Sequence, residues 1–173
     1  MADLTFSSFV QLLDSARFRS RGYLGDPPVF LFPRILVGSG ETLSRSFLDR
    51  YGITHIVNCA SEEACPPAIR NLMGPARYRT IDAIDGNVNI FQRWYPAFKD
   101  AMDTFLKDPT CRTVFVHCQA GVNRSVTLAV GYVSRTFGVP LSAIVNRIVS
   151  VRPCALQNPH FKRQVYDFVK KRV

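Results

Sequence analysis

The chain has 173 residues, of which 47% are hydrophobic, so it suits one globular domain and is not an intrinsically disordered chain. Its net charge of +9 favours anionic partners such as phosphorylated proteins, acidic lipid surfaces or nucleic acid. No apolar run approaches the length of a membrane span, no basic run with interleaved aromatics resembles an RNA-binding motif, and the first residues lack the pattern of a secretion signal.

Five cysteines occur without the paired spacing of a zinc site or of a disulfide framework. We therefore expect free thiols, no metal or other cofactor, and a reducing location such as the cytoplasm. Cys59, Cys65, Cys111 and Cys154 are expected to be structural. One of them could lie close enough to Cys118 to protect it as a disulfide, and their spacing does not say which.

Residues 1–28 are predicted to form a helical arm and linker that precede a main domain at residues 29–173. Apolar residues recur at helical spacing between residues 4 and 16, with Asp3 or Thr5 as the cap. Residues 17–28 are basic, contain glycine and end in two prolines, which predicts a linker that leads the helix away from the domain. The helix must bury its apolar face, either on its own domain or on a second copy of the chain.

Strands and helices alternate through the rest of the chain, which predicts a three-layer α/β/α domain with a mainly parallel central sheet. Pro96 is expected to kink a helix or to delay its start, and the loop at residues 61–75 is either a rim of a substrate cleft or a passive connection. The predicted elements are extended segments at 29–37, a helix from about 41 to 51, a strand at 53–59, a loop with room for a helical turn at 61–75, a strand at 79–83 and a helix capped by Asn89. A strand at 114–117, a loop that begins at Cys118, helices at 124–137 and 141–151, and a last helix opened by Asn158 and Pro159 complete the chain.

The segment around Cys118 joins a short apolar strand, a tight loop and the start of a helix. Unpaired amides and the helix dipole at such a junction favour a bound phosphate, and the planar guanidinium of Arg124 can hold two phosphate oxygens. Gly121 allows the loop to bend sharply. A thiol at a helix N-terminus beside an arginine ionises readily, so the same loop predicts a cysteine nucleophile. The alternative, one more buried cysteine, does not explain this spacing.

His117 and Cys118, followed after five residues by Arg124 and Ser125, resemble the signature of cysteine-dependent protein phosphatases. The loop between them resembles that of the dual-specificity branch, most of all the poxvirus-type enzymes, and consists of Gln119, Ala120, Gly121, Val122 and Asn123. The resemblance implies the cysteine-phosphatase fold, phosphate binding by this loop, and hydrolysis of phosphotyrosine and of phosphoserine or phosphothreonine through a cysteinyl-phosphate. Asn123 stands where many of these enzymes carry serine, and its amide could still brace the loop.

The resemblance also implies a carboxylic acid that protonates the departing oxygen. Asp82 and Asp85 both precede a predicted helix, and the family pattern favours Asp85. Asp82 is expected to cap the strand end or to form a salt bridge, and the alternative role for Asp85 is that of a turn residue before a glycine. Ser125 would donate a hydrogen bond to the departing thiolate, or act only as a first-turn hydroxyl. His117 would position the loop, or be an ordinary buried histidine.

The expected partners are phosphorylated proteins. Phosphoinositides or RNA 5′-phosphates are alternative substrates for the same chemistry, although residues 119–123 contain no lysine that would bind a highly charged headgroup. A non-catalytic phosphoprotein-binding module is a further alternative, but it would not explain why Cys118, Arg124 and Asp85 occur together. The poxvirus-type enzymes exchange N-terminal helices between protomers, which implies a homodimer and a viral protein of the host cytoplasm or the virion.

Overall fold

A computed structural model describes residues 4–171, which form a three-layer α/β/α domain. Single 3₁₀ turns lie at Arg17–Arg19, Gly40–Thr42 and Glu62–Ala64. The other elements are α1 (Phe6–Ala16), β1 (Val29–Phe32), β2 (Ile35–Ser39), α2 (Arg45–Tyr51), β3 (Ile53–Asn58), α3 (Pro67–Met73), β4 (Tyr78–Thr80), α4 (Ile90–Lys107), β5 (Thr113–Cys118), α5 (Arg124–Phe137), α6 (Leu141–Val151) and α7 (Pro159–Lys170).

The central sheet has the strand order β1-β2-β5-β3-β4. Only β1 and β2 pair antiparallel; the other neighbours are parallel, with Val116 of β5 opposite Val37 on one side and Val57 on the other. Every residue of β5 is buried, as expected for a strand covered on both faces. The predicted three-layer fold with a mainly parallel sheet is confirmed.

The alternation of side chains along the strands divides the core into two halves. Val114 and Val116 pack with α1, α4, α5, α6 and α7 on one face, whereas Phe115 packs with α2 and α3 on the other. Helix α5 runs through the larger half, with Ser125 through Ser134 all buried. This burial explains why α5 is apolar on nearly every side, and it fixes the helix that begins at the predicted phosphate loop.

Capping residues define where most helices begin. Side-chain oxygens accept a hydrogen bond from a first-turn N–H at four α-helices, and these caps are Thr5, Ser44, Asn89 and Asn158. Helix α4 begins at Ile90, so Pro96 does not delay its start. Among residues 4–171, no helix combines the length and the apolar character needed to cross a bilayer.

Three predicted elements differ in the structure. The loop predicted at residues 61–75 contains a two-turn helix, α3, because Pro67 occupies its first turn, where a missing N–H costs nothing. The helix predicted from residue 41 begins only at Arg45, after a 3₁₀ turn. The strand predicted at 79–83 lies at Tyr78–Thr80, and Asp82, two residues later, has a left-handed φ of 58° that an extended strand does not adopt.

The N-terminal arm folds back onto the domain. Phe9 and Leu13 of α1 are 0% and 2% exposed, and Asp14 accepts a 2.6 Å hydrogen bond from Lys162 of α7. The prediction that residues 17–28 lead the helix away is wrong, because Asp26 is buried and accepts a hydrogen bond from the backbone of Cys154. Of the two predicted caps, Thr5 serves and Asp3 lies outside the described residues. The single chain covers its own helix, and exchange with a second copy stays a prediction.

Candidate active site

The predicted phosphate loop joins the C-terminal end of β5 to the first residue of α5. Cys118 is the last residue of β5 and lies opposite Ser39 of β2 in the parallel register. Arg124 is the first residue of α5. Ligands of parallel α/β sheets bind at this edge, where strands end and helices begin.

The carbonyl groups of loop residues 119–122 all accept hydrogen bonds from groups behind the loop. The donors are Ser39 Oγ (2.8 Å) and Gly40 N (3.1 Å) to Gln119, Arg152 Nη2 (2.8 Å) to Ala120, Arg152 Nε (2.9 Å) to Gly121, and Leu156 N (2.7 Å) to Val122. The C=O and N–H of a trans peptide point in opposite directions, so the amides of residues 120–123 face the other side of the loop. Within residues 4–171 these amides donate no hydrogen bond to the protein, which leaves them available to an oxyanion.

Gly121 is required at the centre of this loop. Its φ is 67°, in the left-handed region, and a Cβ atom there would lie 2.2 Å from the carbonyl carbon and oxygen of Gly38. The close approach to Gly38 presses the loop against the end of β2. Any other residue would strain both the loop and the strand.

The thiol of Cys118 lies at the base of the loop, beside Ser125. Both residues are buried, and the Cys118 Sγ and Ser125 Oγ atoms are 3.3 Å apart. This is the distance at which the Ser125 hydroxyl can donate a hydrogen bond to a thiolate. The Ser125 hydroxyl faces the sulfur and not a backbone N–H of the first turn, which favours the predicted catalytic role over the capping alternative.

Arg124 supplies a side-chain cation to the loop. Its Nη1 donates a 3.2 Å hydrogen bond to the carbonyl of Ala83, while its buried Nε has no partner in the described part of the chain. A buried unpaired N–H is costly unless a ligand satisfies it, so the free edge of the guanidinium is suited to an oxyanion. Residues 4–171 contain no group of three His, Cys, Asp or Glu side chains placed to hold a metal ion.

The two candidate acids occupy different positions. Asp85 lies at the rim of the loop, where its two oxygens accept hydrogen bonds from Asn123 Nδ2 (3.0 Å) and Asn158 Nδ2 (2.8 Å). The Asp82 carboxylate is exposed and makes no hydrogen bond or ion pair to the residues that the structure describes. The expectation that Asp82 caps the strand or forms a salt bridge is therefore wrong. The geometry favours Asp85 as the acid.

Two asparagines connect the loop to its surroundings. The Oδ1 atom of Asn123 accepts hydrogen bonds of 2.9 Å from the backbone N–H groups of Gln157 and Asn158, while its Nδ2 reaches Asp85. Its amide thus braces the loop, as expected. Asn158 was predicted only as the cap of the last helix. It does cap α7, but its Nδ2 also positions Asp85. The sequence does not indicate this contact, because the two residues are 73 positions apart.

His117 supports the loop from below. It is fully buried, and its Nδ1 lies 2.9 Å from the backbone oxygen of Cys118. Because a carbonyl only accepts hydrogen bonds, Nδ1 must carry the proton. Burial lowers the pKa of His117 to about 4, so the imidazole is neutral at pH 7. His117 therefore fixes the orientation of the Cys118 carbonyl and does not add a positive charge.

Cys59 is the cysteine that lies next to Cys118. The parallel register pairs Asn58 with His117, so the following residues, Cys59 and Cys118, are side by side at the ends of β3 and β5. The Cys59 N–H donates a 2.6 Å hydrogen bond to the His117 carbonyl. Burial raises the pKa of the Cys59 thiol well above its usual value, so Cys59 is a neutral neighbour in the reduced protein.

Comparison with known proteins identifies the family. Residues 35–171 match the family described as dual specificity phosphatase, catalytic domain. The chain belongs to the dual-specificity phosphatases. Dual specificity protein phosphatase 1 of Homo sapiens is 32% identical over 142 residues, which cover 82% of this chain and 37% of that protein. Its namesake in Arabidopsis thaliana is 30% identical over 146 residues, which cover 83% of this chain and 69% of the relative.

The known structures agree with this dual-specificity phosphatase fold. The crystal structure of DUSP15 aligns with a TM-score of 0.68 at 23% identity, covering 85% of this chain and 90% of that one. The resemblance to dual-specificity phosphatases and the predicted cysteine-phosphatase fold are thereby confirmed. The chain spans little more than a third of the human relative's length, 37%, and the matched family begins at residue 35, after the N-terminal arm.

Proposed function

We propose that this protein hydrolyses phosphotyrosine and phosphoserine or phosphothreonine in other proteins through a cysteinyl-phosphate intermediate. The observation that carries the proposal is the orientation of the backbone amides at residues 120–123, in the loop between Cys118 and Arg124. The carbonyls of residues 119–122 accept hydrogen bonds behind the loop, so these amides face the opposite side and are available to a phosphate. A loop whose amides are fixed in advance stabilises the charge of a transferring phosphoryl group without rearrangement.

In the first step the phosphate of the substrate enters the loop and its oxygens accept hydrogen bonds from the amides and from Arg124. The sulfur of Cys118 attacks phosphorus, and the bond between phosphorus and the substrate oxygen breaks. Asp85 gives its proton to that oxygen, so the product leaves as an alcohol or phenol. The position of Asp85 at the rim of the loop, held by Asn123 and Asn158, supports this role.

In the second step water attacks the cysteinyl-phosphate. The Asp85 carboxylate takes a proton from the water, the bond between sulfur and phosphorus breaks, and inorganic phosphate leaves. The thiolate of Cys118 is regenerated, and Ser125, 3.3 Å away, stabilises it with a hydrogen bond. Apart from the attacking water, the groups assigned to both half-reactions are Cys118, Arg124, Asp85, Ser125 and the loop amides.

A Cys118→Ser variant tests this function directly. It should retain phosphate binding and capture phosphoproteins, while hydrolysis of phosphotyrosine and phosphothreonine peptides is abolished. Cys111→Ser is the matched control, because Cys111 is a buried cysteine outside the loop and the change should leave hydrolysis intact. Hydrolysis that persists in Cys118→Ser, or that requires a divalent metal, would contradict the mechanism.

The net charge of +9 supports a second group of substrates, phosphoinositides and RNA 5′-phosphates, for the same reaction. Parallel assays with phosphopeptides, phosphoinositide vesicles and 5′-triphosphorylated RNA separate these possibilities. Residues 119–123 contain no lysine that would bind a highly charged headgroup, which favours phosphorylated proteins as substrates. A higher kcat/KM for the lipid or the RNA would reassign the substrate and leave the chemistry unchanged.

A homodimer that exchanges α1 between protomers, as in the poxvirus-type enzymes, is part of the proposal. Support comes from the contact of α1 with α6 and α7, which a second copy could supply equally well. Residues 1–20 are deleted and the mass in solution is compared with that of the full chain. If the number of chains per particle is the same before and after the deletion, α1 does not hold a dimer together.

The same resemblance supports a viral protein that acts in the host cytoplasm or the virion, where a reducing environment keeps Cys118 active.

A further inference from the structure

Arg152 is a buried charged residue behind the phosphate loop. It follows α6, is 1% exposed, and uses its guanidinium to donate hydrogen bonds to five backbone carbonyls. Two of these carbonyls belong to the loop, and the others belong to the N-terminal region. The acceptors are Ala120 (2.8 Å), Gly121 (2.9 Å), Asp26 (2.7 Å), Tyr23 (3.0 Å) and Pro27 (3.3 Å).

Residues 20–28, which we call the N-terminal strap, are closed around Asp26. Asp26 is 5% exposed, and its carboxylate accepts hydrogen bonds from Ser20 Oγ (2.7 Å), the backbone N–H of Arg21 (2.7 Å) and the backbone N–H of Cys154 (2.9 Å). Burial alone would raise the pKa of Asp26, but these hydrogen bonds outweigh it and lower the pKa. The strap is therefore held by a buried carboxylate that is ionised at neutral pH.

We propose that Arg152 is a positioning residue of the active site and that the N-terminal strap is the socket that holds it. The guanidinium is planar and rigid, so its three contacts with the strap determine where its two contacts with the loop lie. Those two contacts hold the carbonyls of Ala120 and Gly121, and thereby aim the amides of Gly121 and Val122 at the phosphate. The strap lies outside residues 35–171, the part of the chain that matches the family.

The charge and shape of Arg152 explain why lysine could not replace it. An ammonium group has three donors and no plane, so it cannot satisfy all five carbonyls of the loop and the strap that Arg152 bonds. Loosening the socket would let the two amides turn, and misplacement by about 1 Å can cost about 100-fold in rate. This inference rests on the proposed phosphatase function, and its test therefore includes a readout that does not require hydrolysis.

Arg152→Lys is the first test, with Arg135→Lys as the matched control. Arg135 also donates to backbone carbonyls, those of Phe168 and Lys171, but it lies on α5 away from the loop. We expect kcat for an aryl phosphate to fall about 10- to 100-fold in Arg152→Lys and inhibition by inorganic phosphate to weaken about 10-fold. Arg135→Lys should stay within about twofold for both quantities.

The readout independent of hydrolysis is the alkylation of Cys118 by iodoacetate and by iodoacetamide. Each reagent forms a carbon–sulfur bond and releases iodide, but only iodoacetate carries a carboxylate that the loop amides attract. The ratio of the two rates, iodoacetate over iodoacetamide, should fall in Arg152→Lys because the amides no longer converge. A purely structural role for Arg152 would lower the folded fraction and leave this ratio unchanged.

Asp26→Asn provides a second variant that perturbs the socket without touching Arg152. It retains the shape of the side chain and removes the charge, so kcat and the alkylation ratio should change in the same direction by about 3- to 10-fold. If Arg152→Lys does not fold, the kcat and the alkylation ratio of Asp26→Asn test the positioning role of the strap instead. Native kcat and a native ratio in the folded variants would overturn the proposal. An inactive parent protein whose alkylation ratio still depends on Arg152 would overturn the proposed function alone.

Discussion

Asp85 illustrates how single side chains acquire a role from their neighbours. Its two carboxylate oxygens are held by Asn123 and Asn158, whereas the Asp82 carboxylate has no partner among residues 4–171. The two acids are three residues apart and chemically identical, yet only Asp85 lies beside the phosphate loop. Asp85 and not Asp82 is therefore suited to be the acid because Asn123 and Asn158, which lie far along the chain, hold it beside the loop.

Asp85→Asn should lower kcat by about 100-fold or more for an alkyl phosphate and by less for a nitrophenyl phosphate, whose leaving group needs no proton. The measurement is the pH–rate profile with both substrates, and Asp82→Asn is the matched control. The basic limb of the profile should disappear in Asp85→Asn and persist in Asp82→Asn. An unchanged basic limb in Asp85→Asn would move the acid role to another residue.

Ser125→Ala should slow the second half-reaction more than the first. The hydroxyl lies 3.3 Å from the sulfur and is expected to stabilise the departing thiolate. A hydrogen bond to a charged group contributes about 1.5–3 kcal/mol, which corresponds to about 10- to 100-fold in kcat. Rapid mixing with nitrophenyl phosphate should reveal a burst of nitrophenol as phosphoenzyme accumulates. Ser134→Ala, a buried serine later in α5, should show no burst beyond that of the parent protein.

His117 makes stability depend on pH. Its pKa is about 4 in the folded protein, below the ordinary value of 6.5, because burial disfavours the imidazolium. Between these values the unfolded chain binds a proton that the folded chain does not, so stability is complete above pH 6.5 and decreases as pH falls toward 4. The loss amounts to about 3 kcal/mol. Thermal unfolding of the parent, His117→Gln and the exposed-site control His160→Gln measures it; a slope retained in His117→Gln would contradict the assignment.

At the level of elements, the site depends on the close approach of the phosphate loop to strand β2, which leaves no room for a side chain at position 121. Gly121 contacts the backbone of Gly38 at the end of β2, and the register of β3 with β5 brings Cys59 beside Cys118. Both relations follow from parallel pairing, which aligns the C-terminal ends of three strands at one edge. The loop is thus enclosed by its neighbouring strands.

Gly121→Ala should combine two costs that Gly74→Ala separates. Both glycines have a positive φ, 67° and 71°, but a Cβ at Gly74 would meet nothing within 4 Å. We expect Gly74→Ala, whose ψ of 171° lies in a region that only glycine adopts readily, to lower the free energy of unfolding by about 1–3 kcal/mol through backbone strain alone. Gly121→Ala should add about 1–3 kcal/mol to its own backbone strain, because its Cβ overlaps Gly38. Urea denaturation measures the difference. A loss in Gly121→Ala no larger than that in Gly74→Ala would show that the loop moves away from β2 and relieves the overlap.

Cys59→Ser should remove protection of the active site against peroxide. Peroxide oxidises Cys118 to a sulfenic acid and is reduced to water; the Cys59 thiol then displaces water to form a disulfide. After a short peroxide treatment, a dithiol reductant should restore full activity in the parent and in Cys65→Ser, but only part of it in Cys59→Ser. Full recovery in Cys59→Ser would assign no protective role to Cys59.

The sequence allowed prediction of what is local. The strand, loop and helix around Cys118 follow from an apolar run, a glycine and a cap, and the caps Thr5, Asn89 and Asn158 follow from residue type. Helix α3 was missed because two adjacent prolines are typical of a loop, although Pro67 fits a first turn. The path of residues 17–28 was missed because it depends on a buried contact between Asp26 and Cys154, which no local pattern encodes.

At the scale of the whole molecule, contacts between distant parts of the chain complete the site. Arg152 bonds to Asp26 across 126 residues, and Asn158 bonds to Asp85 across 73 residues. The N-terminal arm, which precedes the matched family domain, packs against α6 and α7 near the other end of the chain. Arg124, the loop amides and Asp85 are therefore brought together only when distant parts of the chain have folded against each other.

The strand order β1-β2-β5-β3-β4 has a consequence for biosynthesis. The middle strand of the sheet, β5, is the last of the five to leave the ribosome, and until it arrives β2 and β3 have no common neighbour to pair with. A nascent chain that ends before residue 113 consequently exposes two unpaired strand edges. Such edges are templates for aggregation, and the strand that removes them also ends in the nucleophile, Cys118.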